Sequence, residues 1–430
     1  MSGSRLDPWV DAYASRTRGL TVSQIRALFA VASRPEVVSL AGGMPFVQAL
    51  PTDVMTETAE RVLRERGAQA LQYGSGQGDV TLREQILQVI AEVGVNAHPD
   101  DIVVTSGSQM ALDLVTRVFC DPGDVVLVEA PSYVGALGVF RSYECDVVHV
   151  AMDDHGLIPS ALEDAITNVR ARGGRIKLLY TIPNFHNPAG VSQPPQRRQE
   201  ILRIAQNAGI AVLEDDPYGL LGFEGQPPRA MRADDAEGVI YLGSFSKTIA
   251  AGLRVGWVVA PHGVREKLVL ASEAAILCPS NYAQLTVSEY LAHQPWREQI
   301  KIFAELYRER RDTLLDGLQA MMPTGTRWTI PGGGFYSWLT LPHGLDATAM
   351  LPRALQALVA YVPGTGFYVD GQGQSNLRLS YCYPEPERIT EGIRRLAGVI
   401  ETELELAEIF GSPGSVVGET GSTVPGPEVQ

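Results

Sequence analysis

Between residues 101 and 257, short apolar runs alternate with stretches of helical spacing, and nothing else in the chain restricts its fold so strongly. The runs Ile102-Val103-Val104, Val125-Val126-Leu127-Val128, Asp146-Val147-Val148-His149-Val150, Leu178-Leu179-Tyr180, Ala211-Val212-Leu213 and Val239-Ile240-Tyr241-Leu242 have strand length. Segments 110–119, 159–172 and 196–208 repeat their apolar residues with a helical period. A continuously apolar strand has to be covered on both faces. The alternation therefore predicts an α/β fold with a mostly parallel sheet and helices on either side. Such sheets bind ligands just beyond the carboxyl ends of their strands, and most of the motifs described below fall there.

After residue 271 the pattern changes to longer helices, 299–322 and 385–409, and two strand-like runs, Phe335-Tyr336-Ser337-Trp338-Leu339-Thr340 and Leu377-Arg378-Leu379-Ser380. This predicts a smaller α+β domain. The expected division is an arm over 1–50 with a helix at 23–32 packing on the small domain, a large domain over 51–285, the small domain over 286–410, and a tail over 411–430. Residues 412–430, rich in Gly, Ser, Pro and Val, are expected to be disordered. At 430 residues the chain has ample core for two domains.

A net charge of −14 without a dense Lys/Arg run argues against a nucleic-acid surface. Cys120, Cys145, Cys278 and Cys382 lie far apart and suit neither a zinc site nor a disulfide scaffold. The seven histidines form no HExxH pattern, so no metal is expected. Neither a signal peptide nor a membrane-spanning run is visible, and a cytoplasmic location is the expectation.

The densest chemistry is Ser244-Phe245-Ser246-Lys247-Thr248 followed by Ala251-Gly252-Leu253-Arg254-Val255-Gly256-Trp257. Lys247 follows a strand, and Ser244, Ser246 and Arg254 offer several donors to one phosphate, Arg254 bidentately. A lysine so placed is a covalent anchor for an aldehyde cofactor, or else a solvated surface residue. Four other motifs precede it. Ser106-Gly107-Ser108-Gln109 opens a helix and is either an anion site or an N-cap. Pro131-Ser132-Tyr133 lies just past a strand, and Tyr133 reads by itself as a core tyrosine. Asn187-Pro188-Ala189-Gly190 is a common turn sequence. Asp215-Asp216-Pro217-Tyr218 ends another strand, with a solvated acidic turn as its alternative. Further on, Arg378 between Leu377 and Leu379 reads by itself as a surface ion-pair partner.

Taken in order, these motifs resemble the fold-type I enzymes that use pyridoxal 5'-phosphate (PLP), specifically class I/II aminotransferases. The resemblance runs from about residue 23 to Arg378 and implies the PLP-dependent transferase fold. It implies that Lys247 is both anchor and proton carrier, and that Ser108, Gln109, Ser244, Ser246 and Arg254 hold the phosphate. Tyr133 would stack on the pyridine face, Asp215 keep the ring nitrogen protonated, and Asn187 and Tyr218 donate to the phenolic oxygen. A protonated ring nitrogen makes the cofactor an electron sink. Arg378 would grip the substrate α-carboxylate, and Gly42 or Gly43 in Leu40-Ala41-Gly42-Gly43-Met44-Pro45 would approach the substrate backbone. Tyr73 would reach the phosphate of a neighbouring subunit, which implies a homodimer.

Segment 271–284 contains no Arg or Lys, which departs from the aspartate-specific members. Ser23-Gln24-Ile25-Arg26 ahead of Ser39-Leu40-Ala41-Gly42-Gly43 is instead similar to the 2-aminoadipate and kynurenine aminotransferase subgroup. Arg26 is its candidate side-chain selector, with a solvated helix charge as the alternative. The implied activity is transfer of the amino group of an L-amino acid of 2-aminoadipate, aromatic or branched-chain type to 2-oxoglutarate in ping-pong half-reactions. Lyase or decarboxylase chemistry on the same scaffold stays open, as does a ligand-sensing regulator.

Overall fold

The computed structural model describes residue 7 and residues 9–19 and 34–410. The expected helix at 23–32, Arg26 within it, and the tail over 411–430 lie outside the described residues.

The strands in chain order are β1 (Val38–Ser39), β2 (Ile102–Thr105), β3 (Val125–Ala130), β4 (Asp146–Asp153), β5 (Gly156–Leu157), β6 (Ile176–Thr181), β7 (Ala211–Asp215), β8 (Val239–Ser244) and β9 (Gly256–Val259). They continue with β10 (Arg327–Trp328), β11 (Tyr336–Thr340), β12 (Val359–Ala360), β13 (Val362–Pro363) and β14 (Asn376–Ser380). The helices are α1 (Thr52–Ala70), α2 (Val80–Ala91), α3 (Ser108–Phe119), α4 (Val134–Ser142), α5 (Pro159–Ala171), α6 (Pro195–Ala208), α7 (His262–Ile276), α8 (Asn281–His293), α9 (Trp296–Met321), α10 (Ala347–Gln356) and α11 (Pro386–Phe410).

The main sheet has eight strands in the order β2-β9-β8-β7-β6-β3-β4-β5. From β8 to β4 every pairing is parallel, whereas β9 runs antiparallel to both of its neighbours and β5 antiparallel to β4. The six runs read as strands in the sequence are all present, and β5 and β9 are additional. The period-2 geometry of a strand explains how the sheet is covered. Val126 and Val128 of β3 pack with Leu112, Val115 and Phe140 of α3 and α4, while Val125 and Leu127 pack with Leu162, Ile166 and Ile201 of α5 and α6. Such alternation buries apolar residues on both faces, which is why the runs are continuous in sequence.

A second, antiparallel sheet, β10-β11-β14-β13, shares its core with α9, α10 and α11. The arm joins this region through the parallel pair β1-β12. The expected domain line at 285/286 falls inside α8, and α8 packs on α1 and α2. Residues 15–19 lie against α4, with Ser15 Oγ 3.4 Å from Glu144, so this part of the arm rests on the large sheet layer rather than on the small domain.

Candidate active site

Strands β2, β3, β6, β7 and β8 point the same way, so their carboxyl ends share one edge of the sheet. Thr105, Ala130, Thr181, Asp215 and Ser244 are the last residues of these strands. The site is built from the loops that leave them.

The anion cup comes from two of these loops. Gly107, at φ 85°, turns the chain from β2 into α3, whose first N–H groups have no acceptor within the helix. The backbone angle favours glycine there, and a Cβ on Gly107 would lie 2.4 Å from Arg254 Nη2 and push the guanidinium aside. Opposite, Ser244 Oγ lies 2.9 Å from Ser246 Oγ, and Arg254 Nη1 donates to Ser246 Oγ at 3.4 Å. Arg254 itself adopts φ 55°, which a non-glycine residue rarely takes without a compensating contact. Here Nη2 donates to Ser106 O at 3.1 Å and ties the two loops together. Ser108 is half-buried at the start of α3; Gln109 next to it is exposed, and its amide holds Gly135 O at 3.1 Å and the Tyr133 hydroxyl at 3.3 Å.

Lys247 sits in a single π-helical turn, Ser246–Ala250, a local widening frequent at functional positions. Its Nζ donates to Gly43 O at 2.9 Å and lies 5.3 Å from the centre of the Phe335 ring. Burial lowers its pKa to about 8, with Arg378 and Arg254 acting in the same direction and Cys382 against it. The amine is therefore about half neutral near pH 8.

Asp215 and Asp216 are adjacent and both buried, which rules out the solvated turn. They face opposite ways. Asp216 accepts from Asn184 Nδ2 at 3.0 Å and from the Tyr241 hydroxyl at 3.1 Å. Asp215 Oδ2 accepts from the Tyr180 hydroxyl at 2.8 Å, while its Oδ1 is buried without a partner in the protein. Burial pushes Asp215 up to about 7; the Tyr180 bond opposes this and the Asp216 charge adds to it.

Arg378 on β14 is buried and is not in a surface ion pair. Its Nη1 donates to Asn187 Oδ1 at 2.9 Å and its Nη2 to Ala41 O at 2.8 Å, while its Nε is buried without a partner. The Tyr336 ring lies 4.1 Å from the guanidinium and that of Phe367 5.1 Å. The Tyr218 hydroxyl is 3.5 Å from that of Tyr336. Tyr133 belongs to the same cluster: burial first, then Asp215 and Tyr336, raise its hydroxyl to about 12, against Arg378 and Arg254. Gly43 lies so close to Tyr336 that a Cβ would fall 1.9 Å from the phenolic oxygen. Gly42 O faces Cys382 Sγ at 3.7 Å.

The chain's own Tyr73 stays outside this cluster at 75% exposure, on a loop tied to α8 by Asn281. Arg26 lies outside the described residues. Among the described residues no group of His, Cys, Asp and Glu fit for a metal is found, and no helix is long and apolar enough to cross a membrane.

The family model for aminotransferase class I and II matches residues 36–396. The chain belongs to the class I and II aminotransferases. This aminotransferase is 40% identical over 396 residues to aromatic-amino-acid aminotransferase 1 of Thermococcus litoralis, covering 91% of the chain and 95% of that relative. Its fold matches the kynurenine aminotransferase of Pyrococcus horikoshii, solved with PMP, with a TM-score of 0.87 at 37% identity, over 91% of this chain and 97% of that one. It also matches the alpha-aminoadipate aminotransferase of Thermus thermophilus, solved with N-(5'-phosphopyridoxyl)-L-leucine, with a TM-score of 0.85 at 37% identity, over 93% and 99% of the two chains.

The residues of this aminotransferase fit a pyridoxal 5'-phosphate group. Asp215 Oδ1 is a buried acceptor lacking a donor, as a protonated ring nitrogen requires, and the cup of Ser108, Ser244, Ser246 and Arg254 suits a phosphate. Sequence reasoning missed Tyr180, Tyr336, Phe335 and Phe367. Tyr180 and Phe335 were read as strand residues, and their period-2 neighbours gave no sign of which side faces the site. Phe367 carries no motif at all.

Proposed function

We propose that this aminotransferase, with pyridoxal 5'-phosphate as its cofactor, moves the amino group of an L-amino acid to a 2-oxo acid in two ping-pong half-reactions. The donors are of 2-aminoadipate, aromatic or branched-chain type, and 2-oxoglutarate is the acceptor. The observation that carries this reading is the convergence of the half-buried Lys247 amine, its pKa lowered to about 8, with the buried, unpaired Asp215 oxygen and the buried, unpaired Arg378 Nε.

The cofactor supplies an aldehyde carbon and a ring able to take up electrons. Lys247 anchors that carbon and, once released, carries a proton to and from the substrate Cα; a pKa of about 8 lets it do both near neutral pH. Asp215 holds the ring nitrogen protonated, since a cationic N–H offsets the cost of burying the carboxylate. Asn187, whose Oδ1 is taken by Arg378, has its amide N–H groups left for the ring oxygen, beside the Tyr218 hydroxyl. Tyr133 covers the ring, and Ser108, Gln109, Ser244, Ser246 and Arg254 bind the phosphate. Arg378 receives the α-carboxylate, Gly42 and Gly43 border the substrate backbone, and Arg26 selects the side chain. The exposed Tyr73 reaches the phosphate of a second copy in a cytoplasmic homodimer. Leu71, two residues before it, is also exposed.

The test is the visible spectrum of the purified holoenzyme with single amino acids and no oxo acid. Bleaching of the yellow band by 2-aminoadipate, glutamate, leucine or aromatic donors is the expected outcome. A persistent band with release of pyruvate or carbon dioxide would replace transamination by lyase or decarboxylase chemistry.

A further inference from the structure

Glu129, the fifth residue of β3, is fully buried, and the reaction described above gives it no part. Its carboxylate is nevertheless heavily engaged. Oε1 accepts from Thr181 Oγ1 and from Gln193 Nε2, both at 2.8 Å, and Oε2 accepts from the Ile182 amide at 2.8 Å. His186 Nε2 lies 3.1 Å from the same Oε2, close enough for an ion pair though not aligned as a hydrogen bond. These bonds and the His186 contact keep Glu129 below its ordinary pKa although burial alone would raise it. All four partners belong to the end of β6 or to the loop 182–193 that follows it. That loop carries Asn187 at its turn.

His186 is 1% exposed, and its Nδ1 accepts from the Ala189 amide at 3.2 Å. The proton of a neutral ring must then be on Nε2, facing Glu129. His186 thus links a buried carboxylate on one side to the backbone on the far side of Asn187. Its own backbone closes the turn: His186 N donates to Val191 O at 2.8 Å, and Gly190 N to His186 O at 2.6 Å. Four residues beyond Glu129, on the other side, is Tyr133. One carboxylate therefore stands between the loop that presents Tyr133 and the loop that presents Asn187.

We infer that Glu129 and His186 form a buried positioning pair that fixes the Asn187 amide, and through Asn187 both the ring oxygen of the cofactor and the Arg378 guanidinium. This inference rests on the role proposed for Asn187. Asn187 Oδ1 is the partner of Arg378 Nη1, so a small rotation of the loop would move the donor to the ring oxygen and the brace of the carboxylate clamp together. An apolar residue at 186 would leave the Ala189 amide without its partner and remove one of the four groups around Glu129.

The experiment is a spectrophotometric pH titration of the holoenzyme, following the visible band of the lysine-bound cofactor, with kcat and KM measured alongside. A donor at the ring oxygen stabilises its anionic form and lowers the pKa of the band; loss of the donor raises it. His186→Leu is expected to raise that pKa by about 1 unit and KM for the amino donor about tenfold. His186→Gln, which keeps both a donor and an acceptor, is expected to return the pKa to the parental value and KM to within about threefold of it. In an Asn187→Ala background, His186→Leu is expected to move the band no further.

An additive shift in that background, or a folded His186→Leu enzyme with parental pKa and KM, would overturn the inference. If Asn187→Ala alone leaves the band in place, the role of Asn187 falls and the inference with it. If only His186→Leu is silent, the inference falls alone. Should His186→Leu fail to fold, Glu129→Gln takes its place with the same expected direction, because an amide forced among these donors must give one of them up; a parental titration would then count against the pair.

Discussion

Asp215 and Arg378 face the same site from opposite domains, and each has a buried polar atom without a partner in the protein. The two atoms are of opposite kind. Asp215 Oδ1 is an acceptor on the floor formed by the large sheet; Arg378 Nε is a donor on the wall formed by the small one. The two regions are also held differently. Asp215 is fixed by Tyr180, 35 residues away on the adjacent parallel strand, so the floor is set as soon as β6 and β7 pair. Arg378 is fixed by Asn187 and Ala41, 191 and 337 residues away, so the wall exists only when sheet, small domain and arm have closed on one another. In the proposed function the floor receives a cationic ring and the wall an anionic substrate, and of the two only the wall depends on closure.

The largest expected effect removes what both regions serve. Lys247→Ala is expected to abolish the yellow band and reduce turnover by more than about a thousandfold, measured by spectrum and by single-turnover kinetics. Retained activity would refute the site as a whole.

Asp215→Asn addresses the floor alone. Loss of the carboxylate is expected to lower kcat by roughly 100- to 1,000-fold, since the ring would no longer be held protonated. The same substitution has an opposite effect on the cofactor-free protein. Burial raises the native pKa of Asp215 to about 7, so between pH 4 and pH 7 the folded state binds a proton that the unfolded state has lost. Stability therefore falls as pH rises through that window, and the cost is complete above it. Cofactor-free Asp215→Asn is expected to melt higher than its parent at pH 8 and at the same temperature near pH 4. Identical melting at both pH values would mean that the carboxylate is not held raised in the fold.

For the wall, Arg378→Lys is the matching change. A lysine keeps the charge but cannot donate to Asn187, to Ala41 O and to a carboxylate in one plane. KM for the amino donor is expected to rise about 30- to 100-fold, with the visible band of the bound cofactor retained and its pKa shifted only through Asn187. An altered band with an unaltered KM would move Arg378 from the substrate to the cofactor.

The same contrast decides how much could be read from the sequence. The sheet was legible because its strands are buried on both faces and therefore continuous in apolar residues. The two strands left out, β5 and β9, are short or antiparallel, and β9 begins inside the loop that presents Arg254. Lys247 stood out through its own neighbourhood of hydroxyls and Arg254, whereas Asp215, Asn187 and Arg378 stood out only through the order of motifs in the resemblance. Tyr336 did not. Its importance comes from two distant approaches, the Arg378 guanidinium at 4.1 Å and the arm glycine Gly43, neither of which leaves a trace next to residue 336. Choosing Asp215 over Asp216 needed the resemblance; the structure supplies the physical reason, since Asp216 is already satisfied by Asn184 and Tyr241.

The smallest expected effect asks whether the cup includes a second copy of the chain. Tyr73 is 75% exposed and its loop is anchored to α8 by Asn281, so the side chain is presented outward on a fixed support. Leu71 on the same loop is 78% exposed, which suits the contact proposed here. If the phosphate of one subunit takes a hydrogen bond from the Tyr73 hydroxyl of another, Tyr73→Phe removes one donor of several and keeps the ring that packs at the interface. The cofactor is then expected to dissociate about 3- to 10-fold more readily, with kcat unchanged at saturating cofactor, because one donor among several sharing the same phosphate contributes on the order of 1 kcal/mol net. The discriminating arm is a mixture of Tyr73→Phe and Lys247→Ala chains. In a mixed dimer the intact Lys247 stands opposite the intact Tyr73, so the cofactor bound there is expected to be held as tightly as in the parent enzyme. Weak binding in that mixed dimer would place the Tyr73 hydroxyl within its own subunit, and the cup would then be the work of one chain.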